Sequence, residues 1–211
     1  MRLKNHLVIF VRAPRLGAVK TRLAADVGGL KAWQFYRRTT AGIVRRLAAD
    51  PRWTCWLAVT PDRFVRHGRS WPRRPRRFPQ GGGDLGARMR RPARRLPPGP
   101  VVIIGSDVPD VTPEHVARAF ALLGGNDAVF GPTPDGGYWL VGLRRRPHTP
   151  DAFRGVRWSG PHALKDTRAN LGPRHRVVLL DELPDIDEGR DLARWRAAAR
   201  ARRRGAAGLP A

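Results

Sequence analysis

The sequence predicts an α/β domain with a mostly parallel sheet flanked by helices. Strand-like and helix-like segments alternate along the chain, a pattern that implies crossover connections between parallel strands. Residues 101–105 form a short continuous apolar run, as expected of a central strand covered on both faces. At 211 residues, with 41% hydrophobic and 27% charged content, the chain fits one domain with a substantial core.

The elements follow in order. Residues 6–12 read as a buried strand, and 20–28 with 30–50 as helices. In the longer of these, Trp33, Tyr36, Thr40, Ile43, Val44 and Leu47 recur at helical spacing. Residues 53–60 make a second strand. The Pro- and Arg-rich stretch 61–80 reads as irregular, with at most a short strand near Phe78. A helix begins near Leu85, and Pro92 is expected to kink or end it. Thr112 and Pro113 are a good helix start, which Gly124 and Gly125 stop. Strands are expected at 127–131, 138–143 and 176–181, with a helix near 161–171. A last helix runs from about 187 into the Arg/Ala-rich end. The domain is expected over residues 1–204, with 205–211 as a frayed tail.

Composition narrows the function. No apolar run approaches the roughly 20 residues of a membrane helix. The apolar part of the N-terminus is five residues long before Arg12 intervenes, too short for a signal peptide. The single cysteine, Cys55, rules out an intramolecular disulfide and suits a reducing, cytoplasmic setting. Of 41 basic residues four are Lys and the rest Arg, for a net charge of +24. Such lopsided usage fits a GC-rich coding sequence as well as a polyanion ligand. The arginines are dispersed, and no nucleic-acid-binding module accompanies them, so nonspecific polyanion binding at low salt is the expectation.

In an open α/β sheet, ligands bind where loops leave the carboxyl ends of strands. The first such loop runs from Ala13 through Pro14, Gly17, Lys20 and Arg22. A glycine turn with two cations at a helix start suits phosphate, although the Walker spacing is absent. The second carries Gly105-Ser106-Asp107-Val108-Pro109-Asp110. Asp107, just past a buried strand, is placed to hold a hard cation such as Mg²⁺, whereas a capping role suits Asp110 better. The third holds Asp185 and Asp187, either of which can supply a second metal carboxylate. Asp187 can alternatively cap the last helix, with Asp191 on its first turn. If the strands preceding Asp107 and Asp187 end at one sheet edge, the two carboxylates converge. Two Gly-rich turns remain, Gln80 to Met89 and Asp135 to Leu140, where glycines allow close approach of the backbone to a ligand; a hairpin is the default for Asp135-Gly136-Gly137.

Six ordered motifs lie within residues 6–195. They are Phe10 to Leu23, Gly83-Asp84-Leu85-Gly86-Ala87-Arg88-Met89, Ile104 to Pro109, Asp135 to Leu143, Trp158-Ser159, and Asp185-Ile186-Asp187 through Asp191-Leu192. Together they resemble the small GT-A-fold proteins catalogued as radical-SAM/selenodomain-associated transferases, some labelled arsenosugar-biosynthesis glycosyltransferases. More distantly the chain is similar to the molybdenum-cofactor and 2-phospholactate guanylyltransferases. The resemblance implies a GT-A, Rossmann-like sheet and a divalent metal, Mg²⁺ or Mn²⁺, held by Asp107 and Asp187. It further implies catalytic and phosphate-holding roles for Lys20 and Arg22, in a nucleotide site with Arg12, Pro14 and Gly17. Gly83, Asp84, Leu85 and Gly86 would then lie near the base or ribose, and Asp135 to Tyr138 would form a substrate loop. Arg12 replaces the family's usual Lys, and Gly160 its usual Thr. Val108 and Pro109 follow Asp107, so the Asp-x-Asp of many glycosyltransferases is absent. The expected function is Mg²⁺-dependent transfer from a nucleotide to a small-molecule acceptor, by nucleotidyl transfer first. Glycosyl transfer from a nucleotide-sugar and polyanion binding on a degenerate GT-A scaffold are the alternatives.

Overall fold

Among the described residues, seven strands and six helices follow one another along the chain, and the strands form one sheet in the order β3-β2-β1-β4-β6-β5-β7. The computed structural model describes residues 3–67, 71–146 and 148–207. The strands are β1 (His6–Arg12), β2 (Thr54–Thr60), β3 (Arg76–Pro79), β4 (Val101–Ile104), β5 (Ala128–Pro132), β6 (Tyr138–Leu143) and β7 (Val177–Leu179). The helices are α1 (Thr21–Val27), α2 (Gly29–Ala48), α3 (Leu85–Arg95), α4 (Pro113–Leu122), α5 (Ala163–Leu171) and α6 (Gly189–Ala207). A short 3-10 turn, Asp62–Phe64, lies in the stretch expected to be irregular. Residues 68–70 of that stretch lie outside the described residues.

The sheet is mostly parallel, as expected. The exception is β6, antiparallel to both β4 and β5. The five residues between β5 and β6 are too few for a crossover, so the two strands form a hairpin. Strand alternation divides the core. Leu7, Ile9 and Val11 of β1 pack with Ile43, Val44 and Leu47 of α2 and Val116 and Ala119 of α4. Val8 faces the opposite layer, with Met89 and Ala93 of α3 and Leu171 of α5. All four residues of β4 are buried, as the apolar run predicts for a central strand.

The helix α3 does not end at Pro92 but continues to Arg95. Proline removes one ladder bond, and here Met89, Pro92 and Ala93 are buried on one face, so packing holds the turn together. Thr112 caps α4, its hydroxyl accepting from the His115 N–H. Asp110, read as a turn or cap residue, instead accepts from Trp195 Nε1 at 3.0 Å and Arg202 at 3.4 Å, tying α6 to the end of β4. Residues 205–207, expected to be frayed, belong to α6, while 208–211 lie outside the described residues.

Candidate active site

Strands β1, β2 and β4 run parallel, so their carboxyl ends share one sheet edge. There a cleft of about 360 Å³ opens, walled by Arg12, Lys20, Arg22, Tyr36, Gln80, Asp107 and Asp187 among others. A larger hollow of about 690 Å³ lies around the start of β2, beside Lys4, Arg52 and Phe120. No carboxylate lines it, so the smaller cleft is the candidate site.

Lys20 is the centre of this cleft. Its ammonium lies 2.7 Å from Asp107 Oδ1 and 2.7 Å from Asp187 Oδ1, and its side chain is only 6% exposed. Burial alone would lower its pKa, but the two carboxylates outweigh burial and raise it above the ordinary lysine value. Lys20 also adopts a left-handed backbone conformation, φ 50° and ψ 48°. That conformation costs about 1–2 kcal/mol, and two charge-assisted hydrogen bonds of about 1.5–3 kcal/mol each are enough to hold it.

The two aspartates arrive by different routes. Asp107 follows β4 directly. Asp187 follows β7 after a return segment whose Ile186 N–H donates to the Asp107 carbonyl at 3.1 Å. Ile186 is buried with Leu23 of α1 and Leu192 of α6, which fixes the segment. Asp187 does not cap α6. Asp191 Oδ2 accepts from the backbone N–H groups of Asp187 (3.1 Å) and Glu188 (2.9 Å), and Asp26 accepts from Gly189 (2.7 Å). The Asp187 carboxylate is thereby left for Lys20, with Arg22 3.9 Å from its other oxygen. Asp185 stays close. Burial first, then the Asp187 and Asp135 carboxylates, push its pKa up to about 6.

The remaining expected residues divide. Arg12 and Leu85 line the cleft. Pro14 faces a different hollow, beside Thr40 and Trp71, and its carbonyl accepts from Trp33. Gly17, at φ 75°, belongs to the exposed turn before Lys20. Gly83 and Asp84 shape the start of α3. Asp84 caps it by accepting from the Ala87 N–H at 2.7 Å, and Gly83 offers its carbonyl to Arg88. Gly86 is a packing glycine, since a Cβ there would lie 2.5 Å from the Phe153 carbonyl oxygen.

Asp135, Gly136 and Gly137 form the expected hairpin turn. Asp135 accepts from the Thr133 hydroxyl and the Gly137 N–H. Tyr138 packs edge-on against Phe130, and burial pushes its pKa up. Its hydroxyl lies 3.4 Å from that of Thr167 on α5, so it is not part of the Lys20 cleft.

Three cleft residues were not singled out from sequence for this role. The Tyr36 hydroxyl accepts from the Arg12 N–H and donates to the Arg12 carbonyl, both at 2.8 Å, clipping α2 to the end of β1. Ser106, buried, lies 3.5 Å from that hydroxyl. Gln80, also buried, donates through Nε2 to the carbonyls of Ala58 (2.9 Å) and Val11 (3.3 Å). Tyr36 showed only as one apolar position of a helical stripe, and Gln80 carried no pattern beyond preceding a glycine run.

Residues 43–160, more than half of the chain, match the family described as "uncharacterized protein conserved in bacteria" (DUF2064). The chain belongs to the DUF2064 family. No curated protein matches it. Among solved structures, a candidate nucleotide-diphospho-sugar transferase from Desulfovibrio desulfuricans G20 is 31% identical, with a TM-score of 0.82 over 90% of this chain and 85% of that one. The 4-diphosphocytidyl-2C-methyl-D-erythritol synthase of Anaerococcus prevotii DSM 20548 has a TM-score of 0.63 at 10% identity, covering 94% of this chain and 99% of that one. A CMP:2-keto-3-deoxy-manno-octonic acid synthetase complexed with CTP has a TM-score of 0.60 at 11% identity, covering 94% and 99%. The DUF2064 chain therefore has the GT-A-like fold that nucleotidyltransferases and nucleotide-diphosphosugar transferases share.

Proposed function

We propose that this DUF2064 protein is a Mg²⁺-dependent nucleotidyltransferase acting on a nucleoside triphosphate and a phosphorylated small-molecule acceptor. The carrying observation is the convergence of Asp107, Asp187 and Lys20 beside a cleft at the carboxyl edge of the sheet. The donor set fits a hard divalent cation. Each carboxylate gives Lys20 one oxygen, and both side chains remain more than 40% exposed. Among the described residues no three His, Cys, Asp or Glu side chains form a complete cage. The other ligands would be phosphate oxygens and water, as Mg²⁺ favours. When bound, Mg²⁺ or Mn²⁺ would neutralise phosphate charge during the displacement.

The chain's own residues supply the rest. Lys20 and Arg22 pair with the departing pyrophosphate as the bond from the α phosphorus to the α,β-bridging oxygen breaks, that oxygen leaving with the pyrophosphate, and a phosphate oxygen of the acceptor joins the α phosphorus. Cys55 is buried at the far end of β2, its thiol pushed up to about 12, and Ser106 is buried against Tyr36. Direct in-line transfer is therefore the simplest course.

Glycosyl transfer is the second reading, favoured by the name of the D. desulfuricans relative. It would use the same cleft for a nucleotide-sugar and release a nucleoside diphosphate. The buried Val108 and the following Pro109, where a second aspartate would be usual, place it second. The test supplies radiolabelled triphosphates and nucleotide-sugars in parallel, with a cell extract as acceptor source. Nucleotidyl transfer with pyrophosphate release supports the proposal. Label moving only from the sugar, with nucleoside diphosphate as co-product, reverses the order.

A further inference from the structure

Where β1 and β4 part, a single hydroxyl takes the place of a strand. The sheet order sets β1 between β2 and β4, and its two ladders end at different points. Pairing with β2 continues to Arg12 and Thr60, whereas pairing with β4 stops at Ile9 and Ile104. In a parallel sheet, successive residues of a central strand bond alternately to one neighbour and the other. The Ala13 N–H goes to the Thr60 carbonyl on the β2 side, so the N–H and carbonyl of Arg12 face the β4 side. The His6 N–H donates to the Pro100 carbonyl, and the same register carried forward would set Arg12 against the Ser106 carbonyl.

The Tyr36 hydroxyl, reaching in from α2, fills that position. It accepts from the Arg12 N–H and donates to the Arg12 carbonyl, both at 2.8 Å. One oxygen thus satisfies both backbone groups of a strand residue whose neighbour has turned away. Tyr36 is only 4% exposed, and Ser106 Oγ comes to 3.5 Å from the same oxygen. The position it fills lies between Arg12, at the start of the loop that carries Lys20, and Ser106, next to Asp107. Without the hydroxyl, the Arg12 groups would be satisfied by closing β4 onto β1 or by admitting water. Either outcome moves Asp107 relative to the loop after β1.

We propose that Tyr36 is a positioning residue of this cleft, its hydroxyl standing in for β4 at Arg12 and holding open the gap across which Asp107 and the loop after β1 share one ligand. This rests on the nucleotide reading above.

The experiment is calorimetric titration of ATP, CTP, GTP and UTP with Mg²⁺ into the full chain, Tyr36→Phe and Ile43→Val, each below its unfolding transition. Ile43 is buried on the same helix and does not line the cleft, so Ile43→Val lowers stability without disturbing Arg12. A merely structural bond would leave the affinity of the folded protein unchanged. Affinity for the triphosphate held most tightly by the unaltered protein should instead fall about 10-fold or more in Tyr36→Phe, and stay within about 2-fold in Ile43→Val. Hydrogen exchange of the Arg12 amide in the unaltered protein gives a reading even if Tyr36→Phe fails to fold. If the ligand binds only with the hydroxyl in place, triphosphate at about 100 times Kd should slow that exchange by about 10-fold or more. No loss in Tyr36→Phe, equal losses in both variants, or an Arg12 amide indifferent to ligand overturns the role of Tyr36 alone. No binding of any triphosphate overturns the nucleotide reading and this inference together.

Discussion

The Lys20 ammonium and the Asp187 carboxylate meet at 2.7 Å although 167 residues separate them in sequence. The contact closes only when the segment before α6 docks against the loop after β4, through the Ile186 N–H and the Asp107 carbonyl. The charge arrangement is thus a product of the whole fold. It also places a fixed cation where a divalent ion would share the same two carboxylates.

Lys20→Met should therefore separate the two cations' roles. With the ammonium gone, Asp107 and Asp187 keep only Arg22, 3.9 Å from Asp187, as a nearby cation, and Mn²⁺ alone, measured by calorimetry, should bind more tightly than to the unaltered protein. Triphosphate affinity should fall by about 10-fold or more, the loss of a charge-assisted contact, while affinity for the bare nucleoside stays within about 2-fold. Unchanged Mn²⁺ affinity and unchanged triphosphate affinity would show that Lys20 is only a structural tie.

Asp185 supplies a pH dependence. Its folded pKa, about 6, lies above the unfolded carboxylate value near 3.9, so folding favours the protonated form. That contribution is full below about pH 4 and is lost as pH rises through about 6. Asp185→Asn keeps it at every pH. The stability gained by the variant over the unaltered protein should grow by about 1 kcal/mol between pH 4 and 7, after allowance for partial exposure. Urea unfolding at the two pH values reads it, and a flat difference contradicts the assignment.

Gly86→Ala tests whether that glycine serves packing. The added methyl meets the Phe153 carbonyl at 2.5 Å and Trp158 at 3.1 Å. Overpacking of this kind costs about 1–3 kcal/mol in urea unfolding. A neutral effect on stability, with nucleotide affinity lost, would return Gly86 to a ligand-contacting role.

Much of this site was legible in the sequence because its parts stand where local rules put them. Asp107 follows an unbroken apolar strand, and Lys20 precedes a helix after a glycine turn. Residues whose roles depend on distant partners were not legible. Tyr36 resembles any other core position on α2 until β1 ends beside it. Gln80 needs the carbonyls of two other strands to fix its amide. Asp187 had two readings, cap or ligand, and the cap reading was removed by Asp26 and Asp191, which take the N–H groups at the start of α6. In the same way, the extension of α3 past Pro92 reflects burial of Met89, Pro92 and Ala93, which local propensity does not contain.

The central claim is that Asp107, with Asp187, makes nucleotide binding depend on a divalent ion. Calorimetric titration of nucleoside triphosphates, with and without Mg²⁺, into the unaltered chain and Asp107→Asn tests it most directly. The account predicts binding that Mg²⁺ strengthens, stabilisation of about 2.7 kcal/mol at ligand concentrations near 100 times Kd, and a loss of the Mg²⁺ effect in a variant that still folds. Triphosphate binding that ignores Mg²⁺, or that is as tight and as Mg²⁺-dependent in Asp107→Asn as in the unaltered protein, would contradict it.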